Sequence, residues 1–207
     1  MTRELRDHYA ETFRRHGPSP LGVDWRGLPD LELRYRKMLE VIPAGRRHRP
    51  TVLDVGCGFG GLYAYALDQG LDLRYTGIDV VPEMITHARA TLPSGEFRCE
   101  DVFELPPGSR YDYVVCNGIL TQKLTTSTRD MDRHAQRLIR RLHELSTVGA
   151  VFNVMTSKVD YTKDNLYHRH PAELLAWCMA EVTDRVRVDH AYPLYEYSVY
   201  LYREGVE

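Results

Sequence analysis

The residues with the clearest chemical potential form a glycine-rich segment in the first third of the chain. Asp54, Gly56, Gly58 and Gly60 lie at the end of a short apolar run, 51–55, in the pattern D-x-G-x-G-x-G. Glycine between a strand and a helix lets the backbone approach a ligand closely and leaves free N–H groups at the helix N-terminus. The segment therefore predicts a loop that binds a nucleotide-like cofactor.

The glycines alone fit two cofactors. Gly56, Gly58 and Gly61 also satisfy G-x-G-x-x-G, the dinucleotide fingerprint, and both patterns expect an acid at the end of the second strand, where Asp79 stands. Asp54 decides between them, because a carboxylate would repel a pyrophosphate. S-adenosylmethionine carries an ammonium and a sulfonium instead, which suit that carboxylate. The sequence favours this methyl donor, and an NAD-dependent oxidoreductase is the alternative from another class.

Strands and helices alternate from residue 51 onward, which predicts an α/β fold. We expect a three-layer, doubly wound, mainly parallel seven-stranded sheet covered on both faces. The predicted strands at 185–189 and 195–202 are joined by too short a connection for a crossover, so the sheet should end in an antiparallel hairpin. Two helical patterns in residues 1–45 predict an N-terminal helical extension. Residues 1–207 are predicted to form one domain.

Four segments together resemble the class I methyltransferases, and the resemblance covers nearly the whole chain. Residues 53–60, 75–85, 100–102 and 111–118 look like the family's motifs at the ends of the first four strands. The resemblance implies a Rossmann-like core at 51–207 and S-adenosylmethionine as cofactor. It implies that Asp79 binds the ribose hydroxyls, that Asp101 accepts the exocyclic amine of adenine, and that the Val102 N–H donates to the ring. The implied cofactor-binding residues are Arg34, Asp54, Gly56, Cys57, Gly58, Gly60, Asp79, Val80, Met84, Asp101, Val102 and Asn117.

Two further segments are similar to a group of small bacterial methyltransferases whose substrates are mostly unassigned. They are Trp25 with residues 31–35, Leu-Glu-Leu-Arg-Tyr, and the closing residues 190–197, His-Ala-Tyr-Pro-Leu-Tyr-Glu-Tyr. This similarity suggests that Arg34 faces the carboxylate of the methyl donor. The alternative is a surface arginine on a helix.

The acceptor is expected at the carboxyl edge of the sheet, where ligands bind in doubly wound folds. The loop 157–170 lies there and is longer than the usual connection of ~4–6 residues; its other interpretation is a surface loop in which His170 caps the next helix. Candidates for a general base are His168, His170, His190 and Tyr161, among which the sequence does not choose. The predicted substrate pocket comprises Trp25, Gly118, Tyr161, Tyr167, Tyr192 and Tyr195.

The composition limits the kinds of partner that we expect this protein to bind. The net charge is 27 − 29 = −2, which gives no general attraction to nucleic acid. Basic clusters at 46–49 and at Arg133, Arg137, Arg140 and Arg141 are interpreted as solvated surface. No apolar stretch approaches the ~20 residues of a membrane span, and the charged N-terminus does not resemble a signal peptide, so we expect a cytoplasmic enzyme. We expect a monomer or homodimer, and no metal site.

Missing motifs favour a small-molecule acceptor. Residues 117–120 read Asn-Gly-Ile-Leu, whereas enzymes that methylate base or amide nitrogens carry Asn/Asp-Pro-Pro-aromatic. No acidic cluster resembles the divalent-metal site of catechol-type methyltransferases. A metabolite or natural-product precursor is therefore the favoured acceptor. RNA or protein is the alternative substrate, and a regulatory protein that keeps the cofactor without acceptor chemistry is a further possibility.

Overall fold

The computed structural model describes residues 3–43 and 49–203. Two helices precede the sheet and four more alternate with its strands. In chain order the elements are α1 (Arg3–His16), a 3-10 turn (Pro20–Val23), α2 (Leu28–Leu39), β1 (Thr51–Val55), α3 (Gly61–Asp68), β2 (Arg74–Asp79), α4 (Pro82–Thr91), β3 (Glu96–Cys99), β4 (Tyr111–Cys116), α5 (Thr128–Leu145), β5 (Ser146–Thr156), β6 (His168–Arg169), α6 (Pro171–Glu181), β7 (Val186–Asp189) and β8 (Glu196–Tyr202).

The sheet confirms the predicted topology. Its strand order is β3-β2-β1-β4-β5-β8-β7, and β8 runs antiparallel to both β5 and β7. The two-residue strand β6, which the sequence pattern did not indicate, pairs with the end of β5. The sequence pattern predicts a third strand at 96–102, whereas the observed strand ends at Cys99, because its pairing with β2 stops where Asp79 faces Cys99. Residues 100–103 are thereby free to turn over the carboxyl edge.

The strand order reverses between β1 and β4, the neighbouring strands at the centre of the sheet. The chain leaves β1 toward β2 and β3 on one side, then returns to place β4 on the other. Loops that follow such a pair of strands diverge and leave a crevice between them. The glycine loop follows β1 and Asn117 follows β4, so the predicted cofactor residues meet at this reversal.

Helices bury both faces of the sheet. Helix α5 turns a stripe of apolar residues onto one face, and Ser127 caps its N-terminus by accepting from the Asp130 N–H at 3.1 Å. The opposite face is covered by α2 and α3, with Met38 and Tyr63 fully buried. The buried stripe of α5 consists of Met131, Ala135, Leu138, Ile139, Leu142 and Leu145.

The N-terminal helices cover the carboxyl edge above the glycine loop. Phe13 of α1 stacks on Phe59, with ring centroids 6.3 Å apart, and also contacts His87 of α4. The predicted helical extension thus covers part of the carboxyl edge of the sheet.

The predicted surface arginines have defined partners. Arg140 pairs with Glu181 at 2.7 Å, while Arg141 is partly buried and donates to the carbonyls of Val102 and Leu105. Residues 46–48 of the other basic cluster lie outside the described residues, and Arg49 pairs with Asp72. Within 3–43 and 49–203, no helix is long and apolar enough to cross a membrane.

Candidate active site

Three adjoining spaces open at the carboxyl edge of the sheet. The first, which we call the glycine-loop cleft, contains about 740 Å³ of empty space and runs from the glycine loop to residues 100–103. The second, the Asp54 pocket, contains about 360 Å³ beneath Trp25. Of the residues that the sequence assigned to cofactor and substrate, the cleft brings together Trp25, Gly56, Gly58, Asp79, Val80, Met84, Asp101, Val102, Asn117 and Gly118.

Asp79 stands at the end of β2 with its carboxylate in the cleft. One oxygen accepts from the Gly58 N–H and the other from the Val81 N–H, both at 2.9 Å. Burial raises the pKa of this carboxyl, and the backbone N–H groups work in the opposite direction. The two N–H groups hold the carboxylate in place. Because each oxygen keeps a free lone pair, the carboxylate can still accept hydrogen bonds from hydroxyl groups.

Asp54 lies in the adjoining Asp54 pocket and is almost completely buried, with 2% of its surface exposed. Its Oδ2 accepts from the Tyr75 hydroxyl at 2.5 Å, whereas Oδ1 has no hydrogen-bond partner in the described chain. Burial raises the pKa of Asp54 to about 7, the Tyr75 hydroxyl lowers it, and nearby Asp79 raises it further. A buried carboxylate oxygen without a donor is costly, and a cation in this pocket would compensate it.

Asn117 supplies a second acceptor between the two spaces. Its Oδ1 is buried and unpartnered among the described residues, and the side chain lines both the cleft and the Asp54 pocket. The next residue, Gly118, has φ +90°, and a Cβ there would lie 3.0 Å from the Trp25 ring. The end of β4 therefore places the amide oxygen of Asn117 next to the close contact between Gly118 and the Trp25 ring.

The far end of the cleft combines apolar side chains with a few polar groups. Val102 and Phe103 line it together with Leu138 and His134 of α5. The Asp101 carboxylate accepts from the Phe103 N–H at 3.0 Å, which fixes the turn. The His134 Nε2 has no partner in the part of the chain that the structure describes, and burial lowers the pKa of this imidazole. A planar heterocycle with polar edges fits such surroundings.

Two of the predicted glycine-loop residues have other positions. Cys57 is buried and lines the Asp54 pocket rather than the cleft. Gly60 lines none of the three spaces; it caps the N-terminus of α3 with φ +86°, and a Cβ there would come within 2.7 Å of Leu92. Gly60 thus allows α3 to start close to its packing partners.

The third space, which we call the Trp25 cavity, spans about 990 Å³ with open solvent included and adjoins the cleft. Tyr9, Val23 and Trp25 line both, so these side chains form the boundary between them. The remaining wall combines the turn before α2, α2 itself, the segment after β4, the end of β5 with the loop that follows it, and the loop before β8. It includes Asp24, Arg26, Asp30, Arg34, Thr121, Gln122, Met155, Lys163, Asn165, Leu166, Pro193, Leu194 and Tyr195.

Arg34 lines this cavity, and the structure gives it a partner other than the expected donor carboxylate. Its guanidinium donates to the buried Glu196 carboxylate at 2.8 and 2.9 Å and stacks over Trp25 at 3.7 Å. Glu196 also accepts from Asn153, whose carbonyl accepts from the Gly118 N–H at 2.7 Å. Arg34 is thus tied through a buried polar chain to the end of β4.

The candidate bases predicted from the sequence lie away from all three spaces. His168 bonds the Thr156 carbonyl through Nδ1 at 2.8 Å, and His170 accepts from the Ala172 N–H as the cap of α6. His190 is exposed and packs against the Tyr197 ring, while Tyr161 is 60% exposed.

The predicted substrate-pocket tyrosines divide in a similar way. Tyr167 is buried and bonds Asp132 at 2.6 Å, and Tyr192 is buried and bonds Ser198 at 3.0 Å. Tyr195, which is 58% exposed, lines the Trp25 cavity. Of the predicted pocket residues, Trp25, Gly118 and Tyr195 line the cleft or the cavity.

Sequence reasoning missed several residues that line the site. Tyr9, Val23 and Asp24 come from the N-terminal extension, and Ile119 and His134 come from the region after β4. The apolar spacing that placed Tyr9 on a helix carried no hint of a ligand. His134 lies on α5, next to the buried apolar stripe of that helix and toward residues 100–103. Its position beside the stripe was the one signal that the sequence offered.

Comparison with known proteins agrees with this arrangement. A family described as a methyltransferase domain matches residues 52–144. A protein of Mycobacterium tuberculosis, provisionally named a methyltransferase, is 32% identical over 151 residues, which cover 72% of this chain and 90% of the relative. The chain therefore belongs to the methyltransferase family.

Two relatives with named activities match shorter stretches. Malonyl-[acyl-carrier protein] O-methyltransferase of Acetivibrio thermocellus is 38% identical over 82 residues, covering 39% of this chain and 29% of the relative. Trans-aconitate 2-methyltransferase of Escherichia coli is 35% identical over 95 residues, covering 46% of this chain and 35% of the relative. This chain thus matches only about a third of the length of either enzyme.

Solved structures share the fold over almost the full length. Magnesium protoporphyrin IX methyltransferase from Synechocystis, crystallised with S-adenosylmethionine, has a TM-score of 0.64 at 18% identity, covering 97% of this chain and 96% of its own. The complex of DhpI with S-adenosylhomocysteine has a TM-score of 0.63 at 22% identity, covering 96% and 95%. These matches support the fold class predicted from the sequence.

Proposed function

We propose that this protein transfers the methyl group of S-adenosylmethionine to a small molecule held in the Trp25 cavity. The observation that carries the proposal is the shared boundary of Tyr9, Val23 and Trp25 between the glycine-loop cleft and that cavity. A donor in the first space and an acceptor in the second would meet at this boundary.

The donor side of the site fits S-adenosylmethionine group by group. The unpartnered oxygens of Asp54 and Asn117 would accept from its ammonium, and the Asp79 carboxylate would accept from its ribose hydroxyls. Asp101, Val102, Phe103 and His134 would enclose its adenine. When bound, the donor supplies a methyl group already activated by the positive sulfur. The protein's main contribution is then alignment of the acceptor atom with that methyl.

The acceptor space favours a small molecule over RNA or protein. The Trp25 cavity is walled by residues from the N-terminal segment, the segment after β4, the end of β5 with the loop that follows it, and the loop before β8. Its charged residues are mixed in sign, with Arg26, Arg34 and Lys163 opposite Asp24 and Asp30, which would not attract a phosphate backbone. Of the two relatives with named activities, trans-aconitate 2-methyltransferase acts on a small acid, whereas the other acts on a malonyl group attached to a carrier protein. A cytoplasmic location and a monomeric or dimeric state stay predictions from the sequence.

Calorimetry tests the donor assignment directly. Titration with S-adenosylmethionine and with S-adenosylhomocysteine should give saturable binding at one site. NADH, followed by fluorescence enhancement, should not bind. Saturable NADH binding without binding of either sulfur compound would instead support the oxidoreductase alternative. A salt-dependent mobility shift with RNA, lost when Arg133 and Arg137 are neutralised, would support the macromolecular substrate.

A further inference from the structure

Asp24 occupies an unusual position at the entrance to α2. It ends the 3-10 turn Pro20–Val23 with φ +63° and ψ 25°, in the left-handed region that residues other than glycine rarely adopt. Its own N–H donates to the carbonyl of Leu21, which holds the turn closed. Asp tolerates this backbone better than most residues do, and the conformation directs its side chain back toward α1.

The carboxylate of Asp24 is held by two neighbours on one oxygen. Oδ2 lies 2.5 Å from the His8 Nε2 and accepts from the Gln122 amide at 3.4 Å. Oδ1 forms no hydrogen bond within residues 3–43 and 49–203, and the side chain retains 22% exposure. One oxygen of Asp24 is therefore anchored and the other is available to a ligand.

The location of Asp24 is next to the point where methyl transfer would take place. Asp24 lines the Trp25 cavity, and its neighbour Tyr9 lines both that cavity and the glycine-loop cleft. Tyr9 is close enough for Asp24 to raise the pKa of its phenol, after the larger effect of burial. On the outer side, His8 is one-third exposed and lines an adjoining surface groove. Asp24 lines both this groove and the Trp25 cavity, so its carboxylate lies between His8 and the acceptor space.

From this geometry, and resting on the proposed function, we propose that Asp24 is the general base and that the acceptor atom is a hydroxyl oxygen. As the acceptor oxygen forms its bond to the methyl carbon, the methyl–sulfur bond breaks and its electron pair stays on sulfur. The hydroxyl proton passes to Asp24 Oδ1. It returns to solvent after the methylated product leaves, and His8 acts as a positioning residue for the carboxylate.

The presence of a base selects among acceptor chemistries. A hydroxyl oxygen that gains a methyl becomes strongly acidic, so its proton must leave as the new bond forms, and a positioned carboxylate assists. A neutral amine gains a methyl as a stable ammonium and needs no base at that moment. A carboxylate acceptor has no proton to lose and would be repelled by Asp24. Trp25 and Tyr195 in the wall suit an aromatic ring bearing the hydroxyl.

Matched sets of simple phenols, benzoic acids and anilines test this assignment, with labelled S-adenosylmethionine as donor and mass spectrometry of the products. The expected result is methylation of members of the phenol set at oxygen. Asp24→Asn should lower kcat for the best phenol by about 100-fold, the lower end of the range for general bases. Calorimetry should show affinities for S-adenosylhomocysteine, and for the phenol in its presence, within threefold of the original protein.

His8 and a control on the same helix complete the test. His8→Ala should lower kcat with little change in KM, and His8→Gln, which keeps a side-chain donor, should recover most of that loss. Asp7→Asn removes an exposed carboxylate one residue from His8 and should change neither constant. Methylation of only acids or anilines, no methylation of any phenol, or an Asp24→Asn rate within threefold of the original would overturn the proposal. Failure of the original protein to bind S-adenosylhomocysteine would instead count against the donor assignment.

Discussion

The glycine-loop cleft and the Trp25 cavity adjoin each other but are built in different ways. The cleft is formed mainly by the ends of β1, β2 and β4 and the turn after β3, completed by side chains of α5 and of the N-terminal segment, and its carboxylates bond backbone N–H groups. The cavity is formed mainly by α1, α2 with the turn before it, and the segments after β4, after β5 and before β8, so its wall comes from residues as far apart as Tyr9 and Tyr195.

The difference shows how a shared donor and a particular acceptor are accommodated in one fold. Strand ends and the backbone N–H groups beside them are fixed by the sheet, so a donor bound there meets the same geometry whatever the surface carries. Loops and terminal helices tolerate substitution, and so the acceptor space can change without disturbing the sheet. The four predictions below test that separation.

The largest effect is expected from Asp79→Ala, which should abolish donor binding without unfolding the protein. Two hydrogen bonds between ribose hydroxyls and a carboxylate, at about 2 kcal/mol each, correspond to a loss of about 4 kcal/mol, or near 1,000-fold in affinity. Calorimetry with S-adenosylhomocysteine measures the loss. Asp72→Ala is the matched control, since Asp72 is exposed and pairs with Arg49 away from the cleft. Affinity within tenfold of normal in folded Asp79→Ala would refute the role of Asp79.

Glu196→Gln should lower the free energy of unfolding, because it removes an ion pair on the acceptor side of the site. The substitution leaves the buried Arg34 guanidinium without its counter-charge, which typically costs about 3 kcal/mol. Denaturant unfolding should show the midpoint shift, and donor affinity should change by less than threefold. A large fall in donor affinity without loss of stability would place Arg34 against the donor, as the sequence suggested, rather than in the acceptor wall.

The pH dependence of donor binding should report on Asp54. Burial raises its pKa to about 7, so in the free protein its contribution to stability is fully present below the carboxyl's ordinary pKa and is lost as the pH rises through 7. A cationic donor requires the ionised form. Affinity for S-adenosylmethionine should therefore rise about tenfold between pH 6 and pH 8.

Two controls isolate Asp54 in that experiment. Asp54→Asn should bind more weakly and without the rise. 5′-Methylthioadenosine, which lacks the ammonium, should bind the original protein with an affinity that hardly changes over the same range. Equal pH dependence for both ligands would contradict contact between Asp54 and the ammonium.

Gly118→Ala should give the smallest effect, at the boundary between the two spaces. An alanine at this position would have to adopt φ +90°, and its Cβ would lie 3.0 Å from the Trp25 ring. These two effects should cost about 1 kcal/mol of stability and displace the ring. The KM for the acceptor should rise more than the donor's dissociation constant. Equal weakening of both would show that donor and acceptor spaces are coupled through Trp25 rather than separable.

Most of the residues that the sequence assigned to the donor line one cleft, because their signals are local. Asp54, the glycines and Asp79 each sit at a fixed distance from the end of a strand, and the strands could be identified from their apolar runs. The antiparallel closing hairpin followed from the short link between β7 and β8. The end of the third strand was placed too late, since the loss of a neighbouring strand beyond Cys99 leaves no mark in the local pattern.

The acceptor side could not be predicted in the same way. Histidines and tyrosines near the carboxyl edge are suited to catalysis, yet His168 and His170 bond the backbone and Tyr167 and Tyr192 are buried in side-chain pairs. Conversely, His8 and Asp24 are 16 residues apart and belong to no motif. Their contact depends on how α1 packs over the glycine loop.

The amino-acid sequence by itself determined the order of strands and helices, the glycine loop with Asp54 before it, and thereby the methyl donor. Only the tertiary structure decided that Arg34 pairs with Glu196, that Asp54 and Asn117 each keep an oxygen without a partner among the described residues, and that Asp24 lines the Trp25 cavity. The physical reason is range. A loop at a strand end is set by a few neighbouring residues, whereas burial, charge pairing and a free carboxylate oxygen depend on side chains brought together from distant parts of the chain.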